Sequence, residues 1–214
     1  MPLQELICPA CGAPLPKKFR FTRMIVCEYC NNTILLNADS LEAVKQKVLL
    51  ADYDSFVKIH SFFHWGDNLM EIIGRVRYQY EAGFWDEWLL VENSKDQYWW
   101  LHEDEGDFAI FIENPEEETE KFYTYEELKI GSEIYINDFL NKVFLCEKAQ
   151  ATIAGFEGEI PYVIAPSQTM HYVDGIYKGK MVSLEYIGDK CYIYVGIPIS
   201  AKAALESLKK SLAE

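Results

Sequence analysis

Four of the six cysteines of this chain stand in two pairs whose spacing is typical of a metal site. The pairs are Cys8-Pro-Ala-Cys11 and Cys27-Glu-Tyr-Cys30, with fifteen residues between them. Two residues between the thiolates of a pair let one tight turn supply two corners of a tetrahedron. Gly12 and Asn31 follow the pairs, and both residue types tolerate the left-handed backbone that this turn requires. The sequence therefore predicts a zinc ribbon in which the four thiolates bind a structural Zn²⁺.

Other uses of the cysteines are weaker, and one alternative metal stays open. A disulfide framework is disfavoured in a reducing compartment, and a thioredoxin-like redox motif requires a βαβ context that the sequence does not show. Iron in a thiolate cage shares the tetrahedral geometry, so spacing alone leaves zinc versus iron open. Cys146 and Cys191 lie in apolar, strand-like segments, and we expect them to behave as small buried residues.

The segment between the two cysteine pairs is basic. It contains Lys17, Lys18, Arg20 and Arg23. Phe19 and Phe21 alternate with polar residues there, which predicts a half-exposed strand. A basic segment interleaved with aromatic rings could contact nucleic acid, but so few charges give little phosphate binding at cellular salt. A structural or protein-docking role is therefore favoured for the ribbon.

Four ionisable residues could supply acid–base chemistry. They are Glu87, His102, Glu159 and Asp174. Glu87 and Glu159 each follow, by three residues, the Phe of an Ala-Gly-Phe phrase that occurs at 82–84 and again at 154–156. If a pseudo-twofold axis brings these two carboxylates into one cleft, they acquire split pKa values suited to a hydrolase or lyase.

The alternative for these residues is structural. Each Glu would then accept backbone N–H groups in its own part of the fold, and perturbed carboxylates also arise in such networks. The chain lacks nucleophile elbows, phosphate-binding glycine loops and helical zinc-protease motifs. We therefore favour structural or binding roles over catalysis.

All five tryptophans lie between residues 65 and 100. Four of them are candidates for partner binding: Trp85, Trp88, Trp99 and Trp100. Within each pair the two side chains point to opposite faces of a strand, so about half of them belong to the core. The others either form an exposed aromatic platform, which would suit a cationic ligand or a basic segment of a partner protein, or fill a larger core.

Charge and hydropathy restrict the function classes further. The net charge of the chain is −14. Residues 1–35 carry a charge of +2, so the rest of the chain is strongly acidic and is expected to bind nucleic acid poorly. The start MPLQELICPACG lacks the pattern of a secretory signal, and no apolar stretch approaches the roughly eighteen residues of a membrane helix. These features predict a cytoplasmic protein without a transmembrane segment.

The elements that must position these residues are mainly strands. Residues 75–80, 181–186 and 192–195 alternate apolar and polar side chains, and Gly188-Asp189 between the last two predicts a tight hairpin. Leu41, Val44, Val48 and Ala51 recur at helical spacing and predict a helix that links the ribbon to the body. Ala204, Leu205, Leu208 and Leu212 predict a second, C-terminal helix.

The body is expected to consist of two copies of one β-rich unit. Lys58-Ile-His-Ser61 recurs as Lys129-Ile-Gly-Ser132, and the Ala-Gly-Phe phrase recurs at nearly the same distance. After the phrase, residues 99–102 of the first copy align with residues 171–174 of the second copy. The predicted fold is mainly β, or α+β overall. Its parts are a zinc ribbon (1–37), a linking helix (38–54), two barrel- or sandwich-like units (55–126 and 127–199) and a C-terminal helix (200–214).

Several segments together resemble a bacterial protein family. They are Ile72-Ile-Gly-Arg75, Phe84-Trp-Asp-Glu-Trp88-Leu89, Trp99-Trp-Leu-His-Glu103, Gly158-Glu-Ile-Pro161, Asp174 and Tyr194-Val-Gly196. With them, residues 55–200 resemble the domain of unknown function 4178 family, some members of which carry a zinc-ribbon-like segment in front. The resemblance implies no established activity. It suggests a non-catalytic role in bacterial envelope-stress or membrane-remodelling systems.

The sequence therefore predicts a cytoplasmic bacterial binding or adaptor protein that carries structural Zn²⁺. Its partner is expected to be another protein or a cationic ligand, and not nucleic acid. Two alternatives remain: an acid–base hydrolase or lyase that uses paired carboxylates, and nucleic-acid contact through the basic ribbon.

Overall fold

Strands make up most of the part of the chain that the structure, a computed structural model, describes. The described residues are 6–37, 40–47, 50, 54–92, 97–113, 123–136, 142–165, 168–187 and 190–210. The predicted hairpin residues Gly188 and Asp189 lie outside them, as do the end of the predicted linking helix and the last four residues of the predicted C-terminal helix.

The N-terminal part, here called the ribbon, consists of five strands. They are β1 (Leu6–Ile7), β2 (Pro14–Leu15), β3 (Met24–Val26), β4 (Asn32–Leu36) and β5 (Leu41–Lys47). Strand β1 pairs with β2, and β3, β4 and β5 form an antiparallel sheet. The predicted strand around Phe19 and Phe21 is wrong, because that segment is a loop: Phe19 is buried whereas Phe21 is exposed.

Strand β5 corrects the prediction of a linking helix. Its backbone pairs with β4, with Leu41 opposite Leu36 and Ala43 opposite Ile34. Leu41 and Ala43 pack against the ribbon core while Glu42 and Val44 face solvent, which is the period of a strand. The helical spacing of the apolar residues is real, but pairing with an open sheet edge overrides a weak helical preference.

The body of the protein is a closed barrel of eight antiparallel strands. The remaining elements are β6 (Phe62–Trp65), β7 (Asn68–Gln79), β8 (Phe84–Val91), β9 (Tyr98–Asp104), β10 (Asp107–Glu113), β11 (Glu133–Tyr135), β12 (Lys142–Ile160), β13 (Thr169–Tyr177), β14 (Lys180–Ile187), β15 (Lys190–Ile199) and α1 (Ala201–Lys210). Strands β7 to β10 form one meander and β12 to β15 form another. Pairing of β10 with β15 and of β7 with β12 closes the barrel.

The two meanders have the same order of strands, and each is preceded by the same type of turn. Before the first meander, His60 N–H donates to Ile72 O and Ile72 N–H donates to Ser61 O. Before the second, Gly131 N–H donates to Leu145 O and Leu145 N–H donates to Ser132 O. His60 and Gly131 share a positive φ, 68° and 82° respectively. The recurring Lys-Ile-x-Ser phrase is therefore one turn used twice, to lead β6 and β11 onto the outside of the barrel.

The Ala-Gly-Phe phrase, by contrast, does not mark equivalent positions. Residues 82 and 83 belong to the turn between the first two strands of the first meander and Phe84 begins the second strand, whereas residues 154–156 lie within the first strand of the second meander. Likewise, residues 99–102 belong to the third strand of the first meander, whereas residues 171–174 belong to the second strand of the second meander. The predicted symmetry between Glu87 and Glu159 is therefore wrong.

Four apolar cores result from this arrangement. One lies inside the barrel and includes Phe19, Met24 and Val26 of the ribbon. The second lies outside the first meander beneath β6 and α1, and the third lies outside the second meander beneath residues 128–136. The fourth is the core of the ribbon. The C-terminal helix is confirmed up to residue 210, and its apolar stripe packs on the second core through Ala204 and Leu208.

The ribbon is joined to the barrel through β12, which is nineteen residues long. The last two residues of this strand pair with β3, so the ribbon sheet continues the barrel sheet. Gly74 and Gly158 allow β7 and β12 to approach closely at this junction. They stand opposite each other, and a Cβ on either would collide with the backbone of the other strand.

Candidate functional site

A cavity of about 180 Å³ lies inside the barrel. Five carboxylates belong to its wall: Glu87, Asp104, Glu147, Asp174 and Glu185. Its aromatic wall consists of Tyr80, Trp85, Trp100, Phe111, Tyr162, Tyr172 and Tyr194. His102, Ser183, Met170 and Met181 complete the lining, and no Lys or Arg belongs to it among the described residues. The cavity therefore combines negative charge with aromatic surface.

Alternation along the strands places these side chains inside. Glu87 in β8 stands opposite His102 in β9, and Asp174 in β13 stands opposite Ser183 in β14. Closing a sheet into a barrel turns one face of every strand inward, so residues two apart share the interior. The structure thus brings together three of the four predicted acid–base residues.

Burial changes the protonation of the carboxyl groups. Burial raises the pKa of Glu87 to about 7, and the charge of Asp174 adds to this shift. The indole N–H of Trp85 opposes the shift, because it donates to Glu87 Oε1 at 3.2 Å. Burial also raises the pKa of Asp174 to about 6, against a hydrogen bond from Ser183. Asp104 has a pKa of about 6 for the same reason, with the charges of neighbouring carboxylates adding to the effect.

His102 contributes no positive charge to this site at neutral pH. Burial lowers its pKa to about 4, because the charged imidazolium loses its hydration inside the barrel. Its ring lies 6.0 Å from the rings of both Trp85 and Phe111. His102 is therefore a neutral, aromatic part of the wall.

Two buried carboxylate oxygens in this wall have no hydrogen-bond partner among the described residues. Asp174 Oδ1 and Asp104 Oδ1 are shielded from solvent and accept no hydrogen bond from the part of the chain that the structure describes. By comparison, Glu147 Oε1 accepts a hydrogen bond from the Tyr172 hydroxyl at 2.7 Å. A buried acceptor without a donor is unfavourable by about 1–3 kcal/mol. The cavity therefore holds places for hydrogen-bond donors that its own residues do not supply.

Glu159 lies elsewhere, at the junction of ribbon and barrel. Its carboxylate accepts the backbone N–H of Lys18 at 2.6 Å, the backbone N–H of Phe19 at 3.1 Å and the hydroxyl of Thr22 at 2.6 Å. Lys18 also forms an ion pair with Glu71 of the barrel. The structure does not bring Glu87 and Glu159 into one cleft, and Glu159 holds the ribbon loop on the barrel.

The four candidate tryptophans are all buried, so the exposed aromatic platform does not form. As predicted, each pair divides between two faces: Trp85 and Trp100 line the cavity, whereas Trp88 and Trp99 belong to the core outside the first meander. Trp88 Nε1 donates to Glu103 at 2.9 Å, and the guanidinium of Arg75 lies 4.7 Å from its ring. Only the two inward tryptophans can contact a ligand in the barrel.

The four cysteines of the ribbon come together as a candidate metal centre. Their sulfur atoms all lie within 4.8 Å of one another, and the Cys8–Cys30 and Cys11–Cys27 pairs are 3.8 Å apart. Four sulfurs about 2.3 Å from a tetrahedral zinc are separated by about 3.8 Å, so the donor set fits this ion.

Each cysteine pair is held by the same turn. Gly12 N–H donates to Cys8 O and Asn31 N–H donates to Cys27 O, and both donors have the predicted positive φ. The Asn32 side chain also donates to the Cys30 sulfur at 3.2 Å, which favours a thiolate there. Local sequence alone therefore builds most of this centre.

Sequence reasoning missed most of the cavity wall, including Asp104, Glu147 and Glu185. A signal was present, because Trp100, His102 and Asp104 recur with a period of two, as do Met170, Tyr172 and Asp174. The sequence alone could not say which face of each strand is the inner one.

Comparisons with known proteins give one match. The family model described as Domain of unknown function (DUF4178) matches residues 58–201, which include the barrel strands and leave out the four cysteines. No curated protein and no solved structure matches the chain. Among the described residues, no helix has the length and apolar character needed to cross a membrane.

Proposed function

This chain belongs to the family described as Domain of unknown function (DUF4178), and we propose that its barrel is the binding site of a small molecule. The observation that carries the proposal is the cavity, which has room for a ligand and contains buried acceptors that have no partner among the described residues. A protein cavity of about 150 Å³ can hold benzene, so about 180 Å³ accommodates a compound of that size or slightly larger.

We infer that the protein binds this molecule without converting it. The predicted pair for acid–base catalysis is divided, because Glu159 is engaged by the ribbon loop while Glu87 faces the cavity. The mouths of β-barrels are frequent ligand sites, and a few polar groups among aromatic side chains are the usual lining. A binding protein of the adaptor type fits these features better than a hydrolase or lyase does.

We also propose that the ribbon holds Zn²⁺ and that the ion has a structural role. All four sulfurs would be ligands, which leaves no open position for substrate. Metal analysis of protein purified without affinity tags that bind metal tests the identity of the ion. One zinc per chain is expected, and iron in its place would contradict the proposal.

The cellular setting stays a prediction from the sequence. A cytoplasmic location, a bacterial origin and a link to envelope-stress or membrane-remodelling systems rest on composition and on the family resemblance. Of the two expected partner classes, the barrel favours a small ligand over a protein segment, because the four candidate tryptophans are buried.

A variant that fills the cavity tests the proposal. Ser183 lines the cavity, so Ser183→Phe would occupy its space. Native mass spectrometry of the full chain, purified gently, would detect a retained small molecule, and a thermal-shift screen of small compounds would detect added ones. We expect binding by the wild type and its loss in Ser183→Phe, with circular dichroism to confirm that the variant folds. Equal binding by both proteins, or no binding by either, would overturn the proposal.

A further inference from the structure

The lining of the barrel says which class of molecule the cavity takes. We propose that the ligand is a small organic ammonium ion that carries at least one N–H donor, held by Asp174 and Asp104 against the rings of Trp85 and Trp100. This inference rests on the proposed small-molecule site and goes further by naming the chemistry of its ligand.

The charge of the cavity selects a cation. Five carboxylates line the cavity, although Glu147 is also exposed to solvent; no Lys or Arg lines it among the described residues, and His102 is neutral at pH 7. Anions would meet only like charge there, whereas a cation would relieve the mutual repulsion of the carboxylates. Charges interact more strongly inside a protein than in bulk water, which strengthens this preference.

The unpartnered oxygens select a donor of hydrogen bonds. Asp174 Oδ1 and Asp104 Oδ1 are buried acceptors to which no described residue donates. A protonated amine has N–H groups that can satisfy such oxygens, whereas a quaternary ammonium ion has none. Charge-assisted hydrogen bonds of this kind are about twice as strong as neutral ones.

An inorganic ion fits the cavity less well than an organic one. In the part of the chain that the structure describes, the four cysteines are the only group of three or more His, Cys, Asp or Glu residues with ligand atoms close enough to share an ion. The carboxylates of the barrel are therefore spread around the wall. They suit a molecule with its own extent better than a single small cation.

The aromatic walls favour the organic part of such a molecule. Trp85 packs on Tyr78 at 5.0 Å and on Tyr172 at 5.3 Å, so its ring is fixed in place. Trp100 packs on Tyr162 at 6.0 Å in the same way. Preorganised indole rings attract ammonium groups and hydrocarbon alike.

Four probes that share a phenyl ring test the inference on the full chain. Benzylamine is a primary ammonium ion at neutral pH, benzyl alcohol is neutral, benzoate is an anion, and benzyltrimethylammonium is a cation without N–H donors. Isothermal titration calorimetry should show the tightest binding for benzylamine. Benzyl alcohol or benzoate binding as tightly as benzylamine would overturn the inference, and so would equal binding of the quaternary ion.

Variants then locate the contact. Asp174→Asn keeps the shape of the side chain and removes its charge, so benzylamine should bind about 10- to 100-fold more weakly, the range for one charge-assisted hydrogen bond. Asp104→Asn gives a second, independent measurement if the first variant folds poorly. Glu133→Gln removes the same charge from an exposed ion pair with Lys142 on the outside and should leave binding unchanged.

The outcomes separate this inference from the proposal beneath it. If Ser183→Phe abolishes binding of a neutral or anionic probe that the wild type prefers, the barrel is a ligand site and only the cation is wrong. If benzylamine binds equally to wild type and Ser183→Phe, the site is not in the barrel and both fail. If benzylamine does not bind at millimolar concentration, or if Asp174→Asn and Asp104→Asn bind it as the wild type does, the inference is overturned.

Discussion

Replacing Glu159 by alanine is the sharpest test of how the ribbon is held. The change removes one carboxylate that accepts two backbone N–H groups and one hydroxyl from the loop between the cysteine pairs. Each buried donor left without an acceptor is unfavourable by about 1–3 kcal/mol. The Thr22 hydroxyl can rotate toward another acceptor, whereas the N–H groups of Lys18 and Phe19 are fixed.

The net effect is smaller than the sum of these contributions. Burial raises the pKa of Glu159 against the hydrogen bonds from Thr22 and the backbone, so the charged form is itself unfavourable inside, and its removal returns part of the loss. We expect the free energy of unfolding to fall by about 3 kcal/mol in Glu159→Ala. Most single domains have about 5–15 kcal/mol in total, so the variant should still fold.

Two measurements follow the change. Urea unfolding monitored by tryptophan fluorescence reports the barrel, since every tryptophan lies between residues 65 and 100. Limited trypsin digestion reports the loop, because Lys17, Lys18, Arg20 and Arg23 lie in it. In Glu159→Ala the loop should be cleaved faster than in the wild type.

A matched control separates this effect from the loss of any carboxylate. Glu133→Ala removes an exposed ion pair with Lys142 and should change the free energy of unfolding by less than about 1 kcal/mol. Our account of Glu159 as the residue that holds the ribbon is refuted if both variants unfold alike and the loop is cleaved at the wild-type rate in each.

Three further predictions concern the metal, the outer charge network and pH. Removing metal with a chelator should speed tryptic cleavage of the ribbon, and Co²⁺ should restore protection with a thiolate absorption band; its absence would contradict a four-sulfur site. Asp86→Ala should lower the free energy of unfolding by about 3 kcal/mol in urea titrations, because it removes the carboxylate that the buried guanidinium groups of Arg75 and Arg77 share, while Arg75 keeps its ion pair with Glu157. Benzylamine affinity should rise between about pH 5 and pH 8 in calorimetry, because Glu87 and Asp174, with pKa values of about 7 and about 6, gain charge there; a flat profile would argue against these carboxylates as ligands.

The same groups make the free protein respond to pH in the opposite direction. A carboxyl group whose pKa is raised by folding binds more protons in the native state than in the unfolded one. The contribution of Glu87 and Asp174 to stability is therefore fully present at low pH and is lost as pH rises through about 6 to 7. Stabilisation by an ammonium ligand should be greatest where this contribution is absent.

The sequence predicted correctly those structural features that depend only on residues close together in the chain. The cysteine turns formed as expected because each needs only five or six consecutive residues, including Gly12 or Asn31 in a left-handed conformation. The recurring Lys-Ile-x-Ser turn and the C-terminal apolar stripe are equally local. The prediction of a linking helix was wrong because residues 41–47 pair with the open edge of β4, and this pairing outweighs the helical spacing of their apolar side chains.

The sequence by itself thus determined a four-thiolate centre, a strand-rich body in two halves and the residue types available for chemistry. Only the tertiary structure decided which of them meet. Glu87 and Asp174 share a cavity because β12 closes the barrel against β7, a strand some seventy residues earlier, while Glu159 is turned to the ribbon. The local sequence of a strand does not decide which of its two faces is buried. The buried face is decided only when distant strands pair and exclude water from that face.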